Sequence, residues 1–230
     1  MNYGDIISYL QMCTEEQISL QRGMYFRLNN KYSIFLMSVR TGAPYHDLFE
    51  ENGRILIYEG HDIPKTKDLK KNPKELDQPQ YTENGKLTQN GKFYKAAIDY
   101  KNNLNEPEVV KIYEKIKDGI WSYTGFFKLV DAWTQKSNKR SVFKFKLEII
   151  DEPTNSKTLK KEIIHSRLIP TIVKRHVWER DKGQCVQCGN KTNLHFDHNI
   201  PFSKGGSSIT AKNIQLLCAK CNLSKHDKII

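Results

Sequence analysis

Runs of apolar residues predict that the first 150 residues form a mixed α and β domain. Apolar residues recur at helical spacing over residues 5–20, which predicts one short helix followed by a turn. Residues 109–116 fit a strand or a helix equally well. Strands are predicted for the apolar, partly β-branched or alternating runs at 32–39, 54–58, 121–133 and 141–150.

Two polar stretches divide the chain. Residues 61–92 are lysine-rich and interrupted by proline and glycine, which predicts a long loop with a short helix near its end. Residues 151–170 are polar with a proline near each end, which predicts a linker, and residues 171–180 have a helical apolar stripe. We therefore expect an α+β protein with an N-terminal domain over 1–150, a linker over 151–170 and a second domain over 171–230.

The charge is uneven along the chain. The formal net charge is +11, and residues 166–230 carry +7 of it. Such a basic segment favours polyanions, although a basic surface that only confers solubility is the alternative. The N-terminus lacks the basic and apolar regions of a signal peptide, and no apolar run is long enough to span a membrane. The expectation is a cytoplasmic protein that does not enter a membrane.

Four of the five cysteines form two CxxC pairs, Cys185/Cys188 and Cys218/Cys221. Two residues between thiolates allow a tight turn to present both sulfurs to one ion, and two such turns complete a tetrahedral site. Structural zinc is the natural occupant of four thiolates. Cys13 stands alone and is expected to be a buried, unreactive thiol.

The segment between the two pairs contains LHFDHNIPFSKGGSSITAKNIQLL, and NLSKHDK follows the second pair. Together with CVQCG, this stretch resembles the HNH nuclease family, whose ββα-metal fold is framed by zinc-binding turns. The residue types suit phosphodiester hydrolysis, because His198 can accept a proton near neutral pH and Asp197 offers hard oxygen ligands to Mg²⁺. A DNA-cutting site that uses Mg²⁺ or Mn²⁺ is therefore expected beside the structural Zn²⁺.

The resemblance implies further roles. Asn213 matches the family residue that fixes the loop and orients the base, and Asn222 matches the residue that completes the metal site with Asp197. Alternatives remain open: Asn222 could cap the last helix, and His226, one turn later, could supply the ligand instead. His195 shares a strand face with Asp197, so it could approach the metal or serve only the structure. Basic residues expected to meet phosphates are Lys174, Arg175, Arg180, Lys182, Lys204, Lys212, Lys220 and Lys225.

Two tyrosines in the N-terminal domain lie near acidic residues. Tyr45 is followed by Asp47, and Tyr58 by Glu59. Two aromatic rings can sandwich a base, and a carboxylate can accept a hydrogen bond from the amine of cytosine. The alternative is that both tyrosines belong to the core with satisfied hydroxyl groups.

The surrounding segments resemble the SRA domain, the SET- and RING-associated domain that binds modified cytosine. The stretches that carry this resemblance are APYHDLFEENGRILIYEG, LDQPQYTENGKLTQNG and GIWSYTGFFKLVDAWTQKSNKRSVFKFKLEII. It implies a twisted, β-barrel-like domain with flanking helices that flips the base, with Tyr45 and Tyr58 stacked on it and Asp47 on its Watson–Crick edge. The family's acid stands one position later, where this chain has Leu48, and Glu59 replaces a common threonine. Either 5-methylcytosine or 5-hydroxymethylcytosine could therefore be the preferred base.

The sequence thus predicts a modification-dependent restriction endonuclease that acts on double-stranded DNA containing modified cytosine. One HNH domain cuts one strand, so a double-strand break would need a homodimer or two binding events. Two alternatives remain. One is an HNH nuclease that recognises sequence or DNA structure, and the other is a non-catalytic DNA-binding protein that uses zinc only to fold.

Overall fold

The computed structural model describes residues 4–40, 42–67, 69–150, 169–226 and 228–229. Most of the predicted linker, residues 151–168, lies outside the described residues, so the domain boundaries stay a prediction.

The described residues form four helices and ten strands. The helices are α1 (Tyr9–Glu16), α2 (Gln89–Lys101), α3 (Thr171–Arg180) and α4 (Ala219–Lys225). The strands are β1 (Ile6–Ser8), β2 (Met24–Leu28), β3 (Tyr32–Met37), β4 (Leu48–Glu50), β5 (Ile55–Glu59), β6 (Val109–Lys117), β7 (Ile120–Ser137), β8 (Arg140–Ile149), β9 (Leu194–His198) and β10 (Ile214–Cys218).

The prediction of one helix over residues 5–20 was wrong in part, because a short strand precedes the helix. Ser8 ends β1 and caps α1: its side-chain oxygen accepts a hydrogen bond from the backbone N–H of Gln11 at 3.2 Å. The Gln11 side chain accepts one from the Ser8 N–H at 3.1 Å. This reciprocal capping box fixes the start of the helix at Tyr9.

The helix expected near the end of the polar loop begins at Gln89 but is longer than predicted. The Thr88 hydroxyl oxygen accepts a hydrogen bond from the Gly91 N–H at 3.1 Å, which caps the helix. A Cβ at position 91 would overlap the carbonyl oxygen of Gln80, so glycine permits the loop to lie against the first turn.

The N-terminal domain is built on one eight-stranded sheet. Its strand order is β2-β3-β6-β7-β8-β5-β4, and β1 pairs with β7 outside this path. The β3–β6 pair is parallel and the other pairs are antiparallel. The residues that fitted a strand or a helix, 109–116, form β6. Helix α2 packs its buried Phe93 and Ala97 against a core that includes Phe35 and Phe145, and α1 contributes Met12 to a separate cluster.

The C-terminal unit consists of α3, the β9–β10 hairpin and α4 around a core of its own. Val173 and Val177 of α3 pack there with Phe196 and Leu216 of the hairpin. Ile6 of β1 packs against this core, so the two domains are in contact. The α+β prediction is confirmed. Among the helices of the described ranges, none is both long and apolar enough to span a bilayer.

Candidate active site and base-binding site

Asp197 and His198 occupy the last two positions of β9. The antiparallel register places Asp197 opposite Gln215 and His198 opposite Ile214 of β10. Helix α4 begins directly after β10, with Cys218 as its N-terminal cap residue. The two strands and the helix therefore bring the acidic residue, the histidine and the second cysteine pair together.

The four paired cysteines converge on one point. The sulfur atoms of Cys185, Cys188, Cys218 and Cys221 all lie within 4.8 Å of one another. A tetrahedral zinc with bonds of about 2.3 Å places its sulfurs roughly 3.8 Å apart, so this cluster fits zinc closely. Gly189, at φ +73°, makes the turn that closes the first pair, and its N–H donates to the Cys185 carbonyl at 2.8 Å.

Thiolate formation is favoured at one of these cysteines. Burial alone would raise the pKa of Cys185, but hydrogen bonds from backbone N–H groups, including those of Cys218 and Cys188, lower it to about 6. Burial and hydrogen bonds with the neighbouring thiols instead raise the pKa of Cys221 to about 12. A hydrogen bond from the Asn190 backbone lowers the pKa of Cys188, but those with Cys185 and Cys218 raise it overall. The donor set of four converging sulfurs matches a zinc site, as predicted from the spacing.

A pocket of about 360 Å³ opens beside the end of β9. It is lined by Asp197, His198, Pro201, Phe202, Ser203, Lys225 and His226. Nε2 of His198 and the Ser208 hydroxyl lie 2.9 Å apart, which fixes the imidazole. Of the two candidates for the last metal ligand, His226 lines this pocket and Asn222 does not.

Lys225 holds Asp197 from the interior. Its Nζ lies 2.9 Å from Oδ2 of Asp197 and donates to the His198 carbonyl at 2.6 Å, while its side chain is only 1% exposed. Gln215 donates to the same Oδ2 at 3.3 Å. The expectation that Lys225 meets phosphate is therefore wrong, because its ammonium is enclosed and serves to position the carboxylate.

Two other basic residues expected at the phosphates are also engaged within the protein. Lys174 is fully buried, and its Nζ lies 2.7 Å from Glu114 of the N-terminal domain. Arg180 pairs with Asp181 at 2.6 Å and donates to backbone carbonyls, among them that of Ile214 at 2.7 Å. Sequence spacing gives no sign of Glu114 or of the Ile214 carbonyl, which lie on other elements, whereas Asp181 directly follows Arg180.

Asn213 is hydrogen-bonded to the loop that follows His198. Its Oδ1 accepts from the Ile200 N–H at 2.8 Å, and its Nδ2 donates to the carbonyls of Ile200 and Ser207 at 3.1 and 3.0 Å. A Cβ at Gly206 would overlap the Ile200 carbonyl oxygen, so glycine allows the two parts of the loop to approach. The Asn213 side chain is thus fully used in shaping the loop.

His195 lies away from the pocket. Its Nδ1 is 2.7 Å from Oδ1 of Asp5, just before β1, and the two residues also form an isolated backbone bridge. Of the two roles left open for His195, the structure favours the structural one, since its ring contacts the N-terminal domain rather than Asp197.

The two tyrosines of the N-terminal domain have different environments. Tyr58 is 1% exposed, its ring stacks on Phe35 with centroids 4.0 Å apart, and its hydroxyl donates to the Gly23 carbonyl at 3.0 Å. Tyr45 is half-buried and stacks on the imidazole of His61, with centroids 4.6 Å apart and planes 4° apart. His61 thus lies between the two tyrosines, a position that the sequence did not reveal.

The two acidic residues expected at the base are buried and bonded to the protein. Asp47 accepts hydrogen bonds from the backbone N–H groups of Glu59 and Ser38, both at 3.0 Å. Burial raises the pKa of Asp47 to about 7, although these two bonds oppose the rise. Glu59 pairs with Lys144 at 2.9 Å and Arg140 at 3.4 Å. In this structure both carboxylates link strands and surrounding loops.

A basic groove of about 520 Å³ runs between the two domains. It is lined by Arg40, Ile116 and Lys117 of the N-terminal domain and by Arg175, Trp178, Glu179 and Lys182 around α3. Four cations and one carboxylate line this groove, which makes it basic, although Arg40 also pairs with Asp118 at 3.3 Å. Arg40 also donates from Nε to the Ser38 hydroxyl, and the Ser38 backbone N–H donates to Asp47.

The C-terminal unit matches a known family. Residues 185–228 match the family model described as HNH endonuclease. This segment contains the four cysteines, Asp197 and His198. The unit is therefore an HNH endonuclease domain, and the predicted class of enzyme is confirmed.

Several solved structures are similar to this chain. The SRA domain of SUVH5 in complex with hemi-methylated CG DNA is 22% identical, with a TM-score of 0.45, over 69% of this chain and 94% of that chain. SUVH5 SRA bound to fully hydroxymethylated CG DNA is 19% identical, with a TM-score of 0.44, over 67% and 92%. The modification-dependent TagI restriction endonuclease is 16% identical, with a TM-score of 0.42, over 99% and 78%. No curated protein matches this chain.

Proposed function

We propose that this protein is a modification-dependent DNA endonuclease that binds a flipped, modified cytosine through its N-terminal domain and cuts the backbone nearby through its C-terminal domain. The observation that carries the proposal is the pocket in which Asp197 and His198 stand side by side within the HNH domain. A nucleophilic water, a scissile phosphate and a cation can meet there. The protein would act in the cytoplasm against foreign DNA.

His198 is the general base. Its ring takes a proton from the attacking water as the water oxygen bonds to phosphorus and the bond to the sugar oxygen breaks, and the sugar oxygen takes up a proton from solvent water. The hydrogen bond to Ser208 holds the ring, and Asn213 holds the loop that follows it. A positioned base of this kind contributes roughly 10²–10⁴-fold to the rate.

Asp197 would hold Mg²⁺ or Mn²⁺ with Asn222, or with His226 in its place. Mg²⁺ commonly binds through one or two carboxylates plus water and substrate phosphate oxygens, so a single aspartate is a sufficient anchor. Within the described residues both contacts of Asp197 fall on Oδ2, which leaves Oδ1 as a ligand atom. When bound, the cation would offset charge on the phosphate.

The N-terminal domain, which we call the reader domain, provides the half-buried ring of Tyr45 as the stacking surface. Stacking on an aromatic ring is worth about 1–3 kcal/mol per base, which helps to offset the cost of flipping. Tyr58 would line the interior of the site and present its hydroxyl group. Asp47 already accepts two backbone hydrogen bonds, so it could accept one from a base only on a lone pair that these two bonds leave open.

The basic groove between the domains would carry the DNA backbone from one site to the other. Arg175 and Lys182 lie on the nuclease side of it, and Arg40 and Lys117 on the reader side. Such contacts position the duplex without determining the sequence that is cut. A break in both strands would require a homodimer or two successive binding events.

The decisive experiment is cleavage of one plasmid prepared with unmodified, 5-methyl- or 5-hydroxymethyl-cytosine, in Mg²⁺ or Mn²⁺, by the wild type and His198→Ala. We expect cleavage of a modified form only, lost in the variant. Equal cleavage of all three forms would retain the nuclease and reject the reader domain. No cleavage of any form by the wild type would point to the alternative of a DNA-binding protein without activity.

A further inference from the structure

The imidazole of His61 fills the space between Tyr45 and Tyr58. One of its faces lies on Tyr45, and its Nε2 is 2.8 Å from the Tyr58 hydroxyl. The backbone of His61 is fixed on both sides by Asn90, whose Oδ1 accepts from the His61 N–H at 2.9 Å and whose Nδ2 donates to its carbonyl at 2.8 Å. Because the backbone is held in this way, any displacement of His61 would be a movement of its side chain.

The surroundings of this ring suit a flat, uncharged heterocycle. A Cβ at Gly23 would overlap the ring and lie 2.8 Å from the Tyr58 hydroxyl, so the absence of a side chain there opens the space. Burial lowers the pKa of His61 to about 4, so the ring is neutral at physiological pH. A cytosine base is likewise planar, neutral and polar at its edge.

The opposite face of Tyr45 is covered as well. Nζ of Lys74 lies 4.0 Å from the centre of the Tyr45 ring and 2.8 Å from Oδ2 of Asp62, and it also contacts the Pro44 carbonyl. A base that stacks on Tyr45 must therefore displace one of two groups. The face toward Tyr58 and the interior is the one that His61 occupies.

We propose that His61 occupies the binding slot of the flipped base in the DNA-free protein and that the base must displace it. We define the base slot by Tyr45, Tyr58 and Gly23. This inference rests on the proposed function of the reader domain. His61 is then a positioning residue that keeps the slot filled and shaped until a base enters.

Displacement of the ring imposes the same cost on every base. Loss of one stacking contact and one hydrogen bond lowers the apparent affinity for flipped bases by a common factor, on the order of tenfold. Removing the ring should therefore tighten binding of modified and unmodified DNA equally and leave their ratio unchanged. A residue that touches the bound base would instead change the ratio.

The test compares the wild type, His61→Ala and His61→Asn with His46→Ala as a matched control, since His46 is an exposed histidine on the same loop as Tyr45. Dissociation constants are measured for duplexes with one central 5-methylcytosine or cytosine. We expect about tenfold tighter binding for His61→Ala, a smaller gain for His61→Asn and no change for the control. Unchanged or weaker binding by His61→Ala, or a changed ratio between the two duplexes, would overturn the proposal.

A second measurement separates this proposal from the reader function itself. Free 5-methyl-2′-deoxycytidine is titrated into each variant and followed by NMR, with thermal unfolding as a check that each variant folds. Binding of the nucleoside to His61→Ala but not to the wild type supports the proposal that His61 fills the base slot. If neither protein distinguishes the two duplexes, that second result rejects only the reader function and leaves this proposal standing. Absence of binding to His61→Ala, or equal binding to the wild type, overturns the filled slot.

Discussion

Nζ of Lys174 and Oε2 of Glu114 lie 2.7 Å apart, and neither side chain is exposed to solvent. The lysine belongs to α3 of the nuclease domain and the glutamate to β6 of the reader domain. Oε1 of Glu114 has no hydrogen-bond partner among the described residues. A buried pair with one unsatisfied oxygen is a poor source of stability, but it strongly disfavours any arrangement that separates its partners.

Lys174→Met should destabilise the protein by roughly 3–5 kcal/mol, because it leaves the Glu114 carboxylate buried without a partner. The double variant Lys174→Met/Glu114→Leu should recover much of this loss. Urea unfolding measures both. Lys95→Met is the control, since Lys95 pairs with Asp99 at the surface and such pairs contribute at most about 1 kcal/mol. If Lys174→Met and Lys95→Met lowered the free energy of unfolding equally, the proposed role of the Lys174–Glu114 pair at the domain interface would be contradicted.

The features that could be predicted from the sequence are local ones. The two CxxC pairs define a metal cluster because each pair is a short turn, and the fold had only to bring the two turns together. Helix α3 and strands β7 and β8 follow the periodicity of their own residues. Asp197 and His198 were singled out by the pattern of the surrounding segment, and the structure places both at one strand end beside a pocket, while their roles stay a prediction.

The features that the sequence did not reveal depend on partners distant in the chain. Lys174 and Lys225 resemble surface cations in sequence, yet each is buried beside a carboxylate on another element. His61 follows an ordinary strand, and only the fold places its ring on Tyr45. The short strand before α1 forms because β7 offers an edge for residues 6–8, which helical spacing cannot indicate.

The metal ligand on α4 can be assigned by substitution. Asn222 lies within α4, whereas His226 is its C-terminal cap residue at φ +48° and lines the pocket beside Asp197. The amide oxygen of Asn222 is the harder ligand and suits Mg²⁺ better. We expect Asn222→Ala to raise the Mg²⁺ concentration for half-maximal cleavage by about tenfold or more, with little effect from His226→Ala. The opposite pattern would assign the ligand role to His226.

Zinc should be bound at one ion per chain and should be required for the nuclease domain to fold. Cys188→Ser should lose the ion and lower the unfolding temperature of this domain. Cys13→Ser is the control, because Cys13 lies on α1, apart from the cluster of four cysteines, and its sulfur accepts a hydrogen bond from the Leu20 N–H at 3.4 Å. Elemental analysis by mass spectrometry measures the ion, and full zinc retention in Cys188→Ser would exclude the four-cysteine site.

The basic groove should determine part of the salt dependence of DNA binding. Each phosphate contact contributes about 0.9 to the slope of log affinity against log salt concentration. Arg175→Gln and Lys182→Gln should each lower this slope by about one, equally for modified and unmodified duplexes. Lys31→Gln, in the exposed turn between β2 and β3, is the control. Slopes that match the wild type in both groove variants would place the DNA elsewhere.

The buried imidazole of His61 should make stability depend on pH. Its pKa is lowered from 6.5 to about 4 by burial, although the nearby Asp62 carboxylate opposes this shift. As the pH falls, His61 is therefore protonated in the unfolded chain before it is protonated in the folded protein. The contribution of the neutral ring to the free energy of unfolding is full above pH 6.5 and is lost as the pH falls toward 4. Between pH 7.5 and pH 5 the wild type should lose about 2 kcal/mol through this group.

Asp47 acts in the opposite direction over the same range. Its folded pKa of about 7 lies above its ordinary value of 3.8, so its contribution is full below pH 3.8 and is lost as the pH rises through 7. A plot of the wild-type free energy of unfolding against pH would therefore contain the effects of both His61 and Asp47. The difference in unfolding free energy between the wild type and His61→Asn isolates the histidine, because Asp47 is present in both proteins. That difference should shrink from pH 7.5 to pH 5 in urea unfolding, and a constant difference would show that His61 is not buried as a neutral ring.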